Sequence, residues 1–136
     1  MWKGVSTALA LSALAGPGMA ADYMLSIVDK GLREYYCQIT VTLENTTDEE
    51  LIEISGFFYS FVGEEEVGRS KGAWFMNVPA GEMATATFET PNAPCDKVET
   101  YQFIVGACRF GPSFADKSEC AARIGGAGII NAVAGS

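Results

Sequence analysis

Tyr35-Tyr36-Cys37-Gln38-Ile39-Thr40-Val41-Thr42-Leu43-Glu44 is the stretch that decides the fold. Cys37, Ile39, Val41 and Leu43 fall on one side, and Gln38, Thr40, Thr42 and Glu44 on the other. A period of two, rich in β-branched residues, predicts a half-buried strand. Asn45-Thr46-Thr47-Asp48 then reads as a turn, because Asn and Asp side chains hydrogen-bond their own backbone. Further strands are predicted at Tyr23 to Val28, ending at Asp29-Lys30-Gly31, and at Leu51 to Val62, ending at Gly63-Glu64-Glu65-Glu66. Val67 to Val78 follows, interrupted near Gly72 and closed by Pro79-Ala80-Gly81-Glu82. Met83 to Glu89 alternates small residues with Thr, and Pro91-Asn92-Ala93-Pro94 ends it. Val98 to Cys108 is the last clear strand, with Tyr101, Phe103, Val105 and Ala107 on one face. About six to seven strands, with turns every roughly 8–12 residues and no amphipathic helix between them, predict an all-β antiparallel immunoglobulin-like sandwich.

Only the end reads as helical. Asp116 stands at a capping position with Glu119 three residues on, so Lys117 to Ile124 is expected to form two turns, stopped by Gly125-Gly126. The Gly/Ala-rich Ala127 to Ser136 is expected to be mobile, the alternative being that Ile129, Ile130 and Val133 dock on the sandwich.

At the other end, Lys3 and the apolar Val5 to Ala15 precede the helix-breaking Gly16-Pro17-Gly18 and small residues. That is the form of an export signal cleaved after Ala20 or Ala21. A retained membrane anchor is the competing reading, but the stretch is shorter than the roughly 20 apolar residues that span a bilayer. The expected organisation is a signal peptide over 1–21, a sandwich over 22–112, and a short helix with its tail over 113–136. Cleavage takes 21 of the 136 residues and leaves 115, enough chain for one domain with its own core.

Cys37, Cys95, Cys108 and Cys120 all lie beyond the signal. An even number of cysteines in an exported chain predicts structural disulfides. If the strands alternate in direction, Cys37 and Cys95 fall at one end of the sandwich and Cys108 at the other, roughly 30 Å away at ~3.3 Å per residue. A bridge requires Cα atoms within about 7 Å, so Cys37–Cys95 and Cys108–Cys120 are the expected pairs. No C-x-x-C pair suggests redox catalysis, and zinc-type spacing is absent.

The chain carries 9 Lys+Arg against 17 Asp+Glu, a net charge of −8, and has no His. Nucleic-acid binding needs clustered cations that are missing here, and anionic lipid repels an acidic chain. The charge favours basic proteins or cations as partners, the alternative being that it only keeps an exported domain soluble; an envelope protein is the expected partner, with neither nucleic acid nor, after signal cleavage, membrane. Without His, the commonest general base and the Ser-His and Cys-His nucleophile arrangements are gone. Asp48-Glu49-Glu50 and Glu64-Glu65-Glu66 flank one strand, too far apart for a glycosidase pair, which needs carboxyls within about 10 Å. Neither run has the spaced ligands of a calcium loop. No catalytic residue, metal ligand or cofactor is assigned, and the chain is not expected to be an enzyme.

The informative strand is Ile54 to Val62. Ile54, Phe58 and Val62 share one face, while Phe57, Tyr59 and Phe61 share the other. Large exposed apolar patches are uncommon on monomers, so something should cover the second face: the C-terminal segment, another protomer or a partner protein. Phe57, Tyr59, Phe61 and Phe75 are the candidate protein-binding residues, Phe75 because it points opposite to Trp74, Met76 and Val78 in a regular strand.

Three stretches carry a resemblance: Val41-Thr42-Leu43-Glu44-Asn45-Thr46-Thr47, the aromatic Phe57 to Phe61, and Val78-Pro79-Ala80-Gly81-Glu82. Together, across Tyr35 to Val105, they are similar to FxLYD-type immunoglobulin-like domains of bacterial envelope proteins. Tyr59-Ser60-Phe61-Val62-Gly63 stands where that signature would be, which is a departure from it. The resemblance implies a sandwich and an interaction or accessory role, with no activity. The function expected is an exported, non-enzymatic envelope module with two structural disulfides. The alternative is an acidic inhibitor or chaperone-like binder of a basic envelope enzyme such as a lysozyme or protease.

Overall fold

The computed structural model describes residues 21–127 and 130–135; the expected export signal lies outside them, save for Ala21. Among the described residues there are nine strands and one helix: β1 (Tyr23–Arg33), β2 (Tyr36–Asn45), β3 (Leu51–Val62), β4 (Glu65–Arg69), β5 (Ala73–Val78), β6 (Met83–Pro91), β7 (Thr100–Arg109), α1 (Lys117–Arg123), β8 (Ile124–Ala127) and β9 (Ile130–Ala134).

They form a two-sheet sandwich. One sheet has the order β6-β2-β1-β8; the other runs β9-β7-β3, with β4 and β5 sharing the far edge of β3. The strand pairs that the turns predict are antiparallel, but β8 pairs with β1 and β9 with β7 in parallel. The sheets are therefore mixed rather than purely antiparallel. Parallel neighbours need a crossover rather than a tight turn, and between β7 and β9 that crossover contains α1 and β8. The Ile130–Ala134 part of the expected mobile tail is a paired strand.

Local chemistry explains where the strands differ from expectation. β1 does not stop at Asp29; it passes through an irregularity between Ile27 and Asp29 and turns at Glu34, which adopts φ 56°. The β3–β4 hairpin turns at Gly63 with φ 62°, a conformation glycine adopts without steric cost. Asp116 begins the helix without a side-chain cap bond; its carboxylate instead accepts from the Ser118 hydroxyl. Gly125 and Gly126, expected as a stop, belong to β8.

The core lies between the sheets. Ile39, Val41 and Leu43 of β2 meet Ile54 and Phe58 of β3 and Tyr101, Phe103 and Val105 of β7, all buried. Phe58 packs on Phe103 and Phe88 at 5.0 and 5.4 Å between ring centroids. Gly56 allows β3 and β7 to come close: a Cβ there would lie 2.1 Å from the Ile104 carbonyl oxygen. At the same point the β3–β7 register slips, stepping over Gly106. That slip turns Cys108 inward instead of Ala107, the residue that regular alternation would bury.

Both expected disulfides form. Cys37–Cys95 spans 5.1 Å and Cys108–Cys120 6.1 Å between Cα atoms. Loops of 58 and 12 residues correspond to stabilisation of about 4 and about 3 kcal/mol through restriction of the unfolded chain. Along the open side of the sandwich, the Lys71 amide donates to the Glu89 carbonyl at 3.2 Å, and the two side chains form an ion pair at 3.5 Å. On the opposite side, β8 and β9 belong to one segment that leaves the first sheet for the second.

Candidate functional site

The outer face of the β3 sheet is set by register. Phe57 lies opposite Ile104, Tyr59 opposite Gln102 and Arg69, Ser55 opposite Ala107 and Trp74, and Glu53 opposite Arg109 and Met76. Phe57, Trp74 and Met76 are 45%, 60% and 54% exposed. Tyr59 is partly covered by its own neighbour, since the Arg69 guanidinium stacks over the ring at 4.6 Å while pairing with Glu66. Phe61 is half-buried beside the hairpin. A shallow cavity of about 170 Å³ opens on this face, lined by Phe57, Tyr59, Ile104, Val105, Gly106, Lys117 and Gly135. From the C-terminal segment, Lys117 and Gly135 line this cavity, and β9 extends the sheet at its edge.

Phe75 belongs elsewhere. It is 3% exposed and meets Phe88 edge-on at 5.7 Å inside the sandwich. Trp74 and Met76 take the outward positions of β5 instead. Asn77, at φ 53°, then breaks the alternation so that Val78 turns inward as well. Of the four residues expected to bind protein, the structure brings Phe57, Tyr59 and Phe61 onto one face and puts Phe75 in the core. Trp74, Met76 and Ile104 complete that face. Their alternation was visible in the sequence, but its phase was not.

A second concavity, about 500 Å³, lies at the end of the sandwich where β2 passes into β3. Tyr23 and Phe110 stack at 5.4 Å with planes 2° apart, and the Arg123 guanidinium lies 4.1 Å over Phe110. Arg123 Nε donates to Asp22 Oδ2 at 2.7 Å. Burial raises the Tyr23 pKa above its ordinary value, partly opposed by the Arg123 charge. Thr46, Thr47, Asp48 and Glu49 complete the lining. Asn45 holds this loop in shape. Its buried Nδ2 donates to the carbonyls of Glu49, Val78 and Pro79, while Oδ1 accepts from the Thr47 amide and hydroxyl. The β2 end, the β2–β3 turn and the Pro79-Ala80-Gly81-Glu82 turn are thereby tied together by one side chain.

The two acidic runs sit at opposite ends of the twelve-residue β3. Among the described residues no group of three or more His, Cys, Asp or Glu is arranged to hold a metal ion. Among the same residues, no helix is long and apolar enough to cross a membrane. Inside the sandwich, Tyr101 and Ser60 occupy paired positions on β7 and β3, and neither hydroxyl has a hydrogen-bond partner among the described residues. Burial pushes the Tyr101 phenol up to about 12. No protein-family model, curated protein or solved structure matches the chain.

Proposed function

We propose that the chain is an exported, non-enzymatic interaction module of the cell envelope, periplasmic or secreted, that holds a protein partner on the outer face of its β3 sheet. The observation that carries this reading is the row Phe57–Ile104 with exposed Trp74 and Met76 beside it. Aromatic residues with large contact area are the usual anchors of protein interfaces. The two disulfides support an oxidising compartment. Kinship with FxLYD-type envelope domains belongs to the same reading. It is supported by the way Asn45 ties two of the three matching stretches together.

The test is chemical cross-linking in the native envelope, comparing the parent with a Phe57→Ser/Trp74→Ser variant. Loss of one specific cross-linked product, with capture by the parent undiminished at high salt, is the expected result. Equal capture by both proteins would remove the face from consideration. The acidic concavity supports a second reading, as a binder of a basic envelope enzyme through Asp48 and Glu49. Electrostatic association of that kind weakens as salt rises, and Asp48→Asn/Glu49→Gln would then abolish capture while Phe57→Ser would not.

A further inference from the structure

The outer face of the β3 sheet combines a protruding ring, a depression and a balanced charge. Trp74, Ser55 and Ala107 stand in one row across β5, β3 and β7, and Met76, Glu53 and Arg109 stand in the next. A bulky residue on one side of β3 is therefore level with small ones on the other. The Trp74 indole is exposed, and its far edge lies against Gly72, where a Cβ would meet the ring at 2.7 Å. On the Ala107 side of β3 opens the cavity of about 170 Å³, lined by Phe57, Ile104 and Gly106 among others. In these rows and the cavity lining, two carboxylates, Glu53 and Glu66, accompany three cations, Arg69, Arg109 and Lys117. The whole chain has 17 Asp+Glu against 9 Lys+Arg. Glu53 and Arg109 stand opposite each other, yet among the described residues neither belongs to an ion pair. Val28, Leu32 and Tyr35 also expose apolar surface near the β1–β2 turn, but there the exposed Asp29, Arg33 and Glu34 stand between them in the chain.

We propose that the occupant of this face is a second copy of the chain, in a two-fold dimer that seats Trp74 of each copy in the cavity beside Phe57 and Ile104 of the other. Two-fold pairs are the commonest closed assemblies, and in them one surface must complement itself. A two-fold axis running along β3 meets that condition. It lays β5 of each copy over β7 of the other, so the Trp74 end of one row faces the Ala107 end of its mate. In the neighbouring row it brings Glu53 of each copy against Arg109 of the other, two ion pairs that neither copy makes alone. Sheets stacked face to face keep their strand directions within about 30° of each other, as this axis allows. Two acidic chains repel, and they do so least where cations offset the carboxylates. An indole filling a pocket is a usual centre of binding energy at an interface. The proposal rests on the reading of this face as a docking surface and adds what docks there.

The test is sedimentation of the oxidised, exported protein over a concentration series. The parent is expected to sediment as a dimer that dissociates on dilution. Trp74→Ala removes the ring and Ile104→Trp fills its seat, and each is expected to weaken the dimer by at least roughly tenfold. Mixed in equal amounts, the two variants are expected to regain most of that loss. One copy then offers an open cavity and the other an intact indole, while the enlarged side chain at position 104 takes the space of the missing ring. Glu53→Arg is expected to weaken the dimer too, and Arg109→Glu added to it to restore association. Urea unfolding in dilute solution, where assembly adds nothing to stability, checks that each variant folds. A parent that stays monomeric at every concentration overturns the proposal. So does a dimer that the ring, cavity and charge variants all leave intact, or a mixture of folded variants that fails to associate. A monomeric parent whose envelope cross-link still depends on Phe57 and Trp74 keeps the docking face and puts a different protein on it; a monomer without that cross-link removes both readings.

Discussion

The two outer faces of the sandwich are built on similar inner faces and yet have opposite chemistry. On the β2 sheet, Thr40 stands opposite Thr87, Thr42 opposite Thr85 and Gln38 opposite Glu89, with Met83, opposite Glu44 at the end of the row, as an exposed apolar exception. On the β3 sheet the corresponding rows bring Phe57 to Ile104 and Tyr59 to Gln102, with Trp74 and Met76 exposed nearby. Threonine pairs satisfy both β-propensity and water, so they make a sheet face that needs no cover. Aromatic rows satisfy β-propensity alone. One sandwich thus shows what the fold requires, which is the inner faces, and what it merely permits, which is the aromatic outer one.

The sharpest way to test that distinction is on a single strand. Phe58→Ala removes a ring packed on Phe88 and Phe103 and is expected to cost about 3–5 kcal/mol in urea unfolding. Its neighbour Phe57→Ala is expected to cost less than about 1 kcal/mol, because that ring leaves no closed cavity behind. Similar losses at both sites would mean that the outer face is structural.

The polar sheet has a requirement of its own at Asn45. Asn45→Ala strips three carbonyls of their donor and the Thr47 amide of its acceptor. A loss of about 2–3 kcal/mol is expected, again from urea unfolding. A smaller loss would show that the loops it ties re-satisfy themselves with solvent.

The faces can also be compared as binding surfaces. Phe57→Ser/Trp74→Ser is expected to keep the urea midpoint nearly unchanged while abolishing envelope cross-linking, and Thr85→Ser/Thr87→Ser to leave both unchanged. Cross-linking lost only in the threonine variant would move the binding surface to the other sheet.

The smallest effect concerns the core between the faces. Tyr101 is neutral when folded up to about 12, against 10.0 for the ordinary phenol. Its folded pKa is raised, so the unfolded chain loses this proton first, and stability present below pH 10 falls between about pH 10 and 12. Tyr101→Phe is expected to flatten that alkaline limb in unfolding measured across this pH range. At pH 8 it should be neutral or stabilising by up to about 1 kcal/mol, since it removes a buried hydroxyl without a partner. An unchanged alkaline limb would assign the effect to other groups.

Much of this arrangement was legible from local chemistry. The alternation of β2, the bounds of β3 at Leu51 and Val62, and the turn at Pro79-Ala80-Gly81-Glu82 follow from side-chain period and turn residues. Both disulfide partners follow from strand direction and the reach of a cystine. The outward set Phe57, Tyr59 and Phe61 follows from the period of two. Phe75 did not follow, because alternation says which residues share a face and not which face is inside.

That last choice belongs to tertiary structure. The slip over Gly106 exchanges Ala107 for Cys108 at the core, and Asn77 turns Val78 inward after Phe75. Both are phase changes that cost the chain little locally and are settled by what lies across the sandwich. The parallel seats of β8 and β9, and the Arg123–Asp22 pair across 101 residues, depend likewise on edges that exist only once the sheets have assembled. By itself the sequence determined an all-β chain with its turns, inner strands and cystine pairs, since these depend on neighbours within a few residues or on strand direction. Which aromatic residues meet water, and what closes the sandwich, were decided by packing between residues far apart in the chain.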